Sequence, residues 1–462
     1  MSGIMMQLLG TAGGGANYFM SVVETPTDGD ARNTMHGVVD GSNNIYVDFD
    51  YVDSSTSYMG LIKIKPSGDV DTQRRLTNVS YRPSGASDLQ QGSWPSIIDS
   101  SGNYGVIAQG SQGNTIPVFL KINPSNLTIT SKYEKDFSTS GSNDEISGFW
   151  GSSGTDFYLC GRDTSGGRTQ FAKFNSSGSQ QWAKTINVTG VSGSSWGSLC
   201  GGCTDSSGNV YVCGTQPAFG YRGFIAKYNS SGTNQWTKWL NNGSFNNSFM
   251  IAKCDSSGNP YIVGNMGDTG GRKLAYVAKL NPSNGAVVWD YVHCKVSDPQ
   301  SGGFQSIDFD SSDNVYLAGT VREDQYPSGT FYSYSNFAVY VKLNSSGTVQ
   351  WQRGLSYSSA RNNSGRSFSS IAIDSKDDMI LTSVQSTGSN PTRFYIARLP
   401  NDGSLTGTYY TANAKYGATA LGDKNIGSIG NPSHGNSSTS TNNITSNIAD
   451  GSNTYTISTQ VI

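Results

Sequence analysis

Short runs in which apolar and polar residues alternate, each followed by a turn sequence, recur along most of the chain. One such unit runs from Phe224 to Trp236: an alternating stretch, then Asn229-Ser-Ser-Gly232, then a second alternating stretch. Alternation with a period of two predicts a β-strand, because successive side chains of a strand point to opposite faces. Asn, Ser and Gly favour tight turns. The unit therefore predicts a β-hairpin.

A second hairpin, Asp205–Gly214, precedes this one, so that four strands fill about 50 residues, the length of a propeller blade. Anchors for the second and third strands of such a unit each occur seven times, always in the same order. The second-strand anchors begin at Asn44, Asn103, Asp156, Asn209, Asn259, Asn314 and Asp378, and the third-strand anchors at Leu61, Phe119, Phe171, Ile225, Val277, Tyr340 and Ile396. The pattern predicts an all-β fold, a seven-bladed β-propeller of four-stranded antiparallel blades.

The amino-acid sequence of the repeat resembles that of a known family. Asp205-Ser-Ser-Gly-Asn-Val-Tyr-Val, Ala226-Lys-Tyr-Asn-Ser-Ser-Gly and Gln235-Trp are similar to the SBBP family of bacterial β-propeller repeats, and the resemblance covers roughly residues 33–411. It implies the propeller fold. It implies little about activity, because that scaffold serves many purposes.

Three regions are predicted: an apolar, Gly-rich arm over 1–17, the propeller over 18–411, and a Ser/Thr/Asn-rich extension over 412–462. Either Tyr18–Glu24 or Leu405–Thr411 is expected to close the last blade. Residues 455–462 form a strand candidate with no evident partner in the chain, and such a strand can pair with another subunit. The predicted assembly contacts are Ile4, Met5, Leu8, Leu9, Tyr455, Ile457 and Val461.

Composition narrows the function classes. Charged residues make up 14% of the 462 residues, against a usual ~25%, and the net charge is −2. No basic field for nucleic acid and no apolar run long enough to insert into a membrane is present. The 57 glycines and the neutral polar surface resemble viral fibre and tail proteins, and the first fifteen residues resemble the starts of tailed-phage structural proteins.

The titratable residues do not form a catalytic or metal-binding motif in the sequence. The three histidines, His36, His293 and His434, are far apart in the sequence. The six cysteines have no framework spacing, so that buried free thiols are expected; Cys200-Gly-Gly-Cys203 is the one close pair. We therefore predict no cofactor, no metal, no catalytic residue and no enzymatic activity.

Long, variable loops all fall on one face of the predicted disc, and this face is the predicted binding surface. Its Tyr and Arg side chains suit protein interfaces and sugar rings alike, although single Tyr residues also pack against neighbouring blades. The predicted binding residues are Arg74, Arg75, Tyr81, Arg82, Tyr221, Arg222, Arg272, Tyr326, Tyr332, Tyr334, Arg361 and Arg366.

Taken together, these features predict a non-enzymatic structural component of a bacteriophage particle, in the tail or tail tip, assembled in the bacterial cytoplasm. The expected partners are other virion proteins, further copies of the chain and host-surface polysaccharide. The alternative is a secreted carbohydrate-binding propeller or a glycoside hydrolase. A hydrolase would need a pair of carboxylates, for which the candidates are Asp50, Asp53, Glu323 and Asp324.

Overall fold

The computed structural model describes the strands and short turns of seven blades and parts of the C-terminal extension. The described residues are 18–24, 30–53, 56–77, 79–80, 96–99, 101–110, 116–134, 146–150, 156–163, 168–186, 198–216, 222–241, 247–267, 273–294, 302–325, 333–357, 369–385, 393–405, 407–409, 414–418, 422–423, 428–430, 449–451 and 456–461. Within these ranges the chain forms strands and turns and no helix, so no described helix is available to span a membrane.

The strands form seven antiparallel sheets arranged as blades in a ring, which confirms the predicted seven-bladed β-propeller. Blade 1 contains β2 (Asp30–Val39), β3 (Ile45–Asp53), β4 (Thr56–Ile64) and β5 (Val70–Thr77). Blade 2 contains β6 (Val79–Ser80), β7 (Ile97–Ile98), β8 (Tyr104–Gly110), β9 (Ile116–Ile122) and β10 (Ile129–Glu134). Blade 3 contains β11 (Ile146–Trp150), β12 (Phe157–Asp163), β13 (Arg168–Phe174) and β14 (Gln180–Ile186).

The remaining blades follow the same plan. Blade 4 contains β15 (Ser198–Thr204), β16 (Val210–Gln216), β17 (Arg222–Tyr228) and β18 (Asn234–Asn241). Blade 5 contains β19 (Ser248–Cys254), β20 (Pro260–Gly267), β21 (Lys273–Leu280) and β22 (Val287–Cys294). Blade 6 contains β23 (Gly302–Phe309), β24 (Val315–Gln325), β25 (Ser333–Leu343) and β26 (Val349–Tyr357). Blade 7 contains β27 (Ser369–Ile373), β28 (Met379–Gln385), β29 (Arg393–Leu399) and, from the start of the chain, β1 (Phe19–Glu24).

In several blades, one aspartate holds the turn between the first and second strands. In blade 6, Asp310 Oδ1 accepts the backbone N–H groups of Ser312 and Asn314, while Oδ2 accepts the Asn314 amide and the Tyr316 hydroxyl. Lys342 Nζ lies 3.6 Å from the same carboxylate. These contacts explain why Asp, Asn, Tyr and Lys recur together in the sequence, since each satisfies a group of the same turn.

Tryptophans of the fourth strands join neighbouring blades. Trp236 Nε1 in blade 4 donates to the carbonyl of Pro282 in blade 5 at 3.1 Å. Its ring lies against Gly285, which has φ +70°; a Cβ there would come within 2.8 Å of the ring. Trp182, Trp289 and Trp351 make the equivalent contact with the turn of the next blade.

Residues from the start of the chain close the ring. β1 pairs with β29 in the register Phe19↔Arg398 and so supplies the fourth strand of blade 7. The other segment predicted for this position, Leu405–Thr411, does not close the ring. Its strand β30 (Gly407–Tyr409) pairs instead with β31 (Ala414–Ala418) at the edge of blade 6.

The C-terminal extension adds further strands to the outer edges of the blades. After blade 6 it reaches blade 5 with β32 (Gly422–Asp423) and blade 4 with β33 (Ser428–Gly430). Later it reaches blade 1 with β34 (Ala449–Gly451) and blade 7 with β35 (Thr456–Val461). The described strands of the extension therefore pair with blades 6, 5, 4, 1 and 7 in that order, which runs round the ring opposite to the order of the blades.

The prediction that the last strand has no partner in the chain was wrong. β35 pairs along its whole length with β1, in the registers Phe19↔Val461 and Val23↔Ile457. The physical reason is that β1 would otherwise leave a row of unpaired N–H and C=O groups at the edge of blade 7. Of the predicted assembly residues, Ile4, Met5, Leu8, Leu9 and Tyr455 lie outside the described residues.

Candidate functional site

A buried group of polar side chains lies between blades 1 and 2. Asp48 on β3 is fully buried, and His36 on the adjacent β2 is 4% exposed. The two residues are register partners, and His36 Nδ1 lies 3.3 Å from Asp48 Oδ2. When Nδ1 carries the proton that Asp48 accepts, the basic nitrogen of the ring is Nε2.

Blade 2 contributes the other two members of the group. The Tyr104 hydroxyl donates to Asp48 Oδ1 at 2.5 Å, and the Ser96 hydroxyl donates to the same oxygen. Burial, followed by the charge of Asp48, raises the pKa of Tyr104 well above its ordinary value, so that Tyr104 keeps its proton. Asp48 is thus fixed by donors from both blades. We call His36, Asp48, Ser96 and Tyr104 the blade 1–2 cluster.

The cluster departs from the repeat at the positions that meet in space. The register position of Asp48, opposite Leu61, is occupied in the other six blades by uncharged residues, which are Ile107, Cys160, Cys213, Val263, Ala318 and Thr382. The partner position, held by His36, is occupied by Ser147, Gly201, Ile251, Ser306 and Ser370 in blades 3 to 7. A buried charge inside an apolar repeat is costly to the fold, and such departures concentrate at functional sites.

The inner strand of blade 2 is interrupted beside the cluster. β6 pairs with the end of β8 at Gly110, and β7 pairs with its start at Tyr104 and Gly105. Residues 81–95 connect the two pieces, and Ser96 follows them directly. The inner strand of blade 2 is thus described as two separate pieces, β6 and β7.

The chemistry of the cluster is that of proton transfer. A histidine oriented by a buried carboxylate is an arrangement that general acid–base catalysis uses. One carboxylate and one imidazole are too few ligands for a metal site, and the described residues contain no group of three or more His, Cys, Asp or Glu side chains that could hold a metal ion. Neither His36 nor Asp48 belongs to a recognisable sequence motif; the available signal was the charged residue at a core position of the repeat.

A second buried histidine provides a contrast. His293 on β22 is 1% exposed, and its Nδ1 lies 2.8 Å from the Tyr291 hydroxyl. Burial lowers the pKa of His293 to about 3, so this ring stays neutral. Among the described residues, one buried histidine therefore lies beside a carboxylate and another beside a phenol hydroxyl.

The structure describes four of the residues predicted to form a binding face. Arg74 and Arg75 lie within β5, where the predicted loop had been expected, because β5 continues its pairing with β4 to Thr77. Arg74 Nε donates to the Asn126 carbonyl in a turn of blade 2, and the Arg75 guanidinium lies 4.5 Å from the centre of the Tyr58 ring. Arg222 and Tyr334 lie at strand ends in blades 4 and 6, opposite Gln216 and Asp324. Outside the described residues are Tyr81, Arg82, Tyr221, Arg272, Tyr326, Tyr332, Arg361 and Arg366.

The carboxylates considered for hydrolysis fall on two separate blades. Asp50 and Asp53 lie on β3 of blade 1, and Glu323 and Asp324 lie on β24 of blade 6. Blade 7 lies between these blades in the ring, so the backbone register does not bring the two pairs together.

No family model matches the chain, and no curated protein matches it. Solved structures do resemble it. An ulvan lyase of polysaccharide lyase family PL25 is 12% identical, with a TM-score of 0.48, and the match covers 82% of this chain and 96% of that one. The polysaccharide lyase Uly1 is 10% identical, with a TM-score of 0.42, over 80% and 90% of the two chains. Hydrazine synthase of Kuenenia stuttgartiensis is 12% identical, with a TM-score of 0.43, over 73% and 99%.

At these identities the likeness concerns the propeller fold. The prediction of a non-enzymatic component of a phage particle was nevertheless wrong: the similar structures named above are enzymes, two of them polysaccharide lyases, and none is a virion protein. The sequence had been interpreted from a neutral, turn-rich surface, and a surface of that kind follows from the many turns of any propeller.

Proposed function

We propose that the chain is a carbohydrate-active enzyme that cleaves an acidic polysaccharide by β-elimination, with His36 as the general base. The observation that carries this proposal is the blade 1–2 cluster, in which a buried carboxylate orients a histidine within an otherwise apolar repeat.

Elimination suits the cluster better than hydrolysis. Hydrolysis of a glycosidic bond ordinarily needs two carboxylates on either side of the bond, whereas the four described members of the cluster include one. In elimination, a base removes the proton from the carbon next to a uronate carboxylate, the glycosidic C–O bond breaks, and a carbon–carbon double bond forms. The proton that His36 takes can then go to the departing oxygen, so a single acid–base group completes the cycle.

The other members of the cluster would act through His36. Asp48 fixes the imidazole tautomer, and Tyr104 and Ser96 fix the carboxylate of Asp48. The Arg side chains predicted on the loop face would suit the carboxylates of the substrate, because the guanidinium matches a carboxylate in a bidentate arrangement.

The experiment is to incubate the full chain with a panel of uronate-containing and neutral polysaccharides. Ultraviolet absorbance of the unsaturated product and the release of reducing ends are followed together. We expect unsaturated product from at least one uronate polymer. Reducing ends without unsaturated product would contradict elimination and favour hydrolysis.

Matched variants then assign the site. His36→Gln should abolish the reaction, and His293→Gln, a buried histidine in blade 5, should leave it intact. Tyr104→Phe should lower kcat more than it raises KM, because Asp48 loses one of the donors that hold it and then orients His36 less well. Tyr316→Phe, which loses an equivalent bond to a turn aspartate, should change none of these. Full activity of His36→Gln would overturn the assignment.

A further inference from the structure

Two cysteines from neighbouring blades face each other. Cys203 lies on β15, the inner strand of blade 4, and Cys254 lies on β19, the inner strand of blade 5. Their Sγ atoms are 2.8 Å apart, although the residues are 51 positions apart in the chain. We propose that Cys203 and Cys254 form a disulfide that links the inner strands of blades 4 and 5.

The surroundings of the pair favour a covalent link over a metal site. The two sulfurs lie in an apolar cluster with Ile225, Ile262 and Ala278, and no third ligand of suitable type forms a metal-binding group with them among the described residues. The nearby Cys213 is likewise buried, on the second strand of blade 4.

The two thiols have different access to an oxidant. Cys203 is 8% exposed, and burial raises the pKa of its thiol, whereas Cys254 is the more exposed of the two. Cys254 would therefore react first with a small-molecule disulfide such as oxidised glutathione, forming a mixed disulfide and releasing one thiol. Cys203 then attacks the Cys254 sulfur and releases the second thiol. The pair loses two electrons and two protons, and the small disulfide gains them.

The disulfide would join blades 4 and 5 covalently, close to the central channel. Blades in a propeller are joined by side-chain packing and by single connecting segments, so a bond between inner strands restrains their separation directly. It would also reduce the freedom of the unfolded chain, since it closes a loop of about one whole blade. The oxidised protein should therefore unfold at a higher temperature.

The test uses the full chain, treated with either oxidised glutathione or a reductant and then alkylated under denaturing conditions. Mass spectrometry should find the Cys203 and Cys254 peptides cross-linked after oxidation and separately alkylated after reduction. Oxidation should raise the Tm by a few degrees. The Cys203→Ser and Cys254→Ser variants should lose this rise, and Cys160→Ser, from a buried cysteine in blade 3, should keep it.

Two outcomes would overturn the proposal. One is complete alkylation of both cysteines after oxidation. The other is a cross-link that joins Cys254 to Cys213, or that joins two chains. Because none of these measurements uses polysaccharide cleavage, the disulfide can fail or stand independently of the proposed enzymatic activity.

Discussion

Two sets of buried aspartates are held in different ways. The turn aspartates, such as Asp255 and Asp310, accept backbone N–H groups from their own turn and are therefore fixed by a few neighbouring residues. The described partners of Asp48 are instead side chains, and they come from two blades. An aspartate fixed by its own turn defines local structure, whereas one held partly by side chains of a neighbouring blade is suited to orient His36.

The largest expected effect is on enzymatic turnover, which should distinguish Asp48 from the turn aspartates. Asp48→Asn keeps the shape of the side chain but removes the charge that orients His36, so turnover should fall about 10²–10⁴-fold. Asp255→Asn should retain turnover and lose about 1–3 kcal/mol of unfolding free energy. Steady-state kinetics and urea unfolding on both variants measure the contrast. Equal losses of turnover would show that the two aspartates do not differ in role.

The next largest effect is a loss of stability in blade 7. Asp378 and Arg398 stand there at the positions that Asn and Lys usually occupy in the turns of the other blades. Arg398 is 1% exposed and bonds to Asp374, with Asp378 3.4 Å away. Arg398→Ala leaves two carboxylates without this cation and should cost about 3–5 kcal/mol in urea unfolding.

The matched variant for that turn is Lys279→Ala in blade 5. Lys279 holds the same register position and pairs with Asp255 at 3.0 Å, but it is more exposed. Its loss should cost about 1 kcal/mol or less. If the two variants lower the unfolding free energy equally, burial of the ion pair does not explain the difference between blades 7 and 5.

A smaller effect is expected at the glycines of the turns. Gly285→Ala places a methyl group against the Trp236 ring in a backbone of φ +70° and should cost about 1–3 kcal/mol. Gly102 has φ +80° and no atom near its Cβ position, so Gly102→Ala isolates the backbone strain. The difference between the two unfolding free energies measures the contact with tryptophan, and a difference of zero would show that the ring simply moves away.

The smallest expected effect is the pH dependence of stability that a single turn aspartate, Asp310, contributes. Burial alone would raise the pKa of Asp310, but hydrogen bonds from Asn314 and from backbone N–H groups outweigh it and lower the pKa below the ordinary 3.8. The stabilisation is therefore present above pH 3.8 and is lost as the pH falls through the lower folded value. Asp310→Asn should therefore flatten the acid limb of the stability curve. An unchanged acid limb would contradict this sign.

The sequence predicted what depends on neighbours in the chain. The turn residues around Asp205 and Asp255, and the alternation that follows them, determine hairpins whose repetition determines the propeller. The blade 1–2 cluster could not be predicted in this way, because Tyr104 reaches Asp48 only after two blades have packed. A charged residue such as Asp48 in a core position of the repeat was the one visible sign.

The same limit explains two other results. Cys203 was considered together with Cys200, three residues away, whereas its neighbour in the fold is Cys254, one blade later. The partner of the last strand could not be inferred either, because β1 and β35 come from opposite ends of the chain. Closure of the ring by Tyr18–Glu24 was one of the two expected arrangements, but no local pattern indicated that β35 would then pair with β1.

The reverse course of the C-terminal extension has a consequence for the timing of folding. Six blades consist of strands that are contiguous in the chain and can pair as they leave the ribosome. In blade 7, β1 waits for β29, and its outer edge waits for β35. Contacts of such long sequence separation form slowly. The ring is therefore expected to remain an open arc until late in synthesis, with β1 exposed during that interval, and chaperone binding to β1 would be greatest on nascent chains that lack residues 393–461.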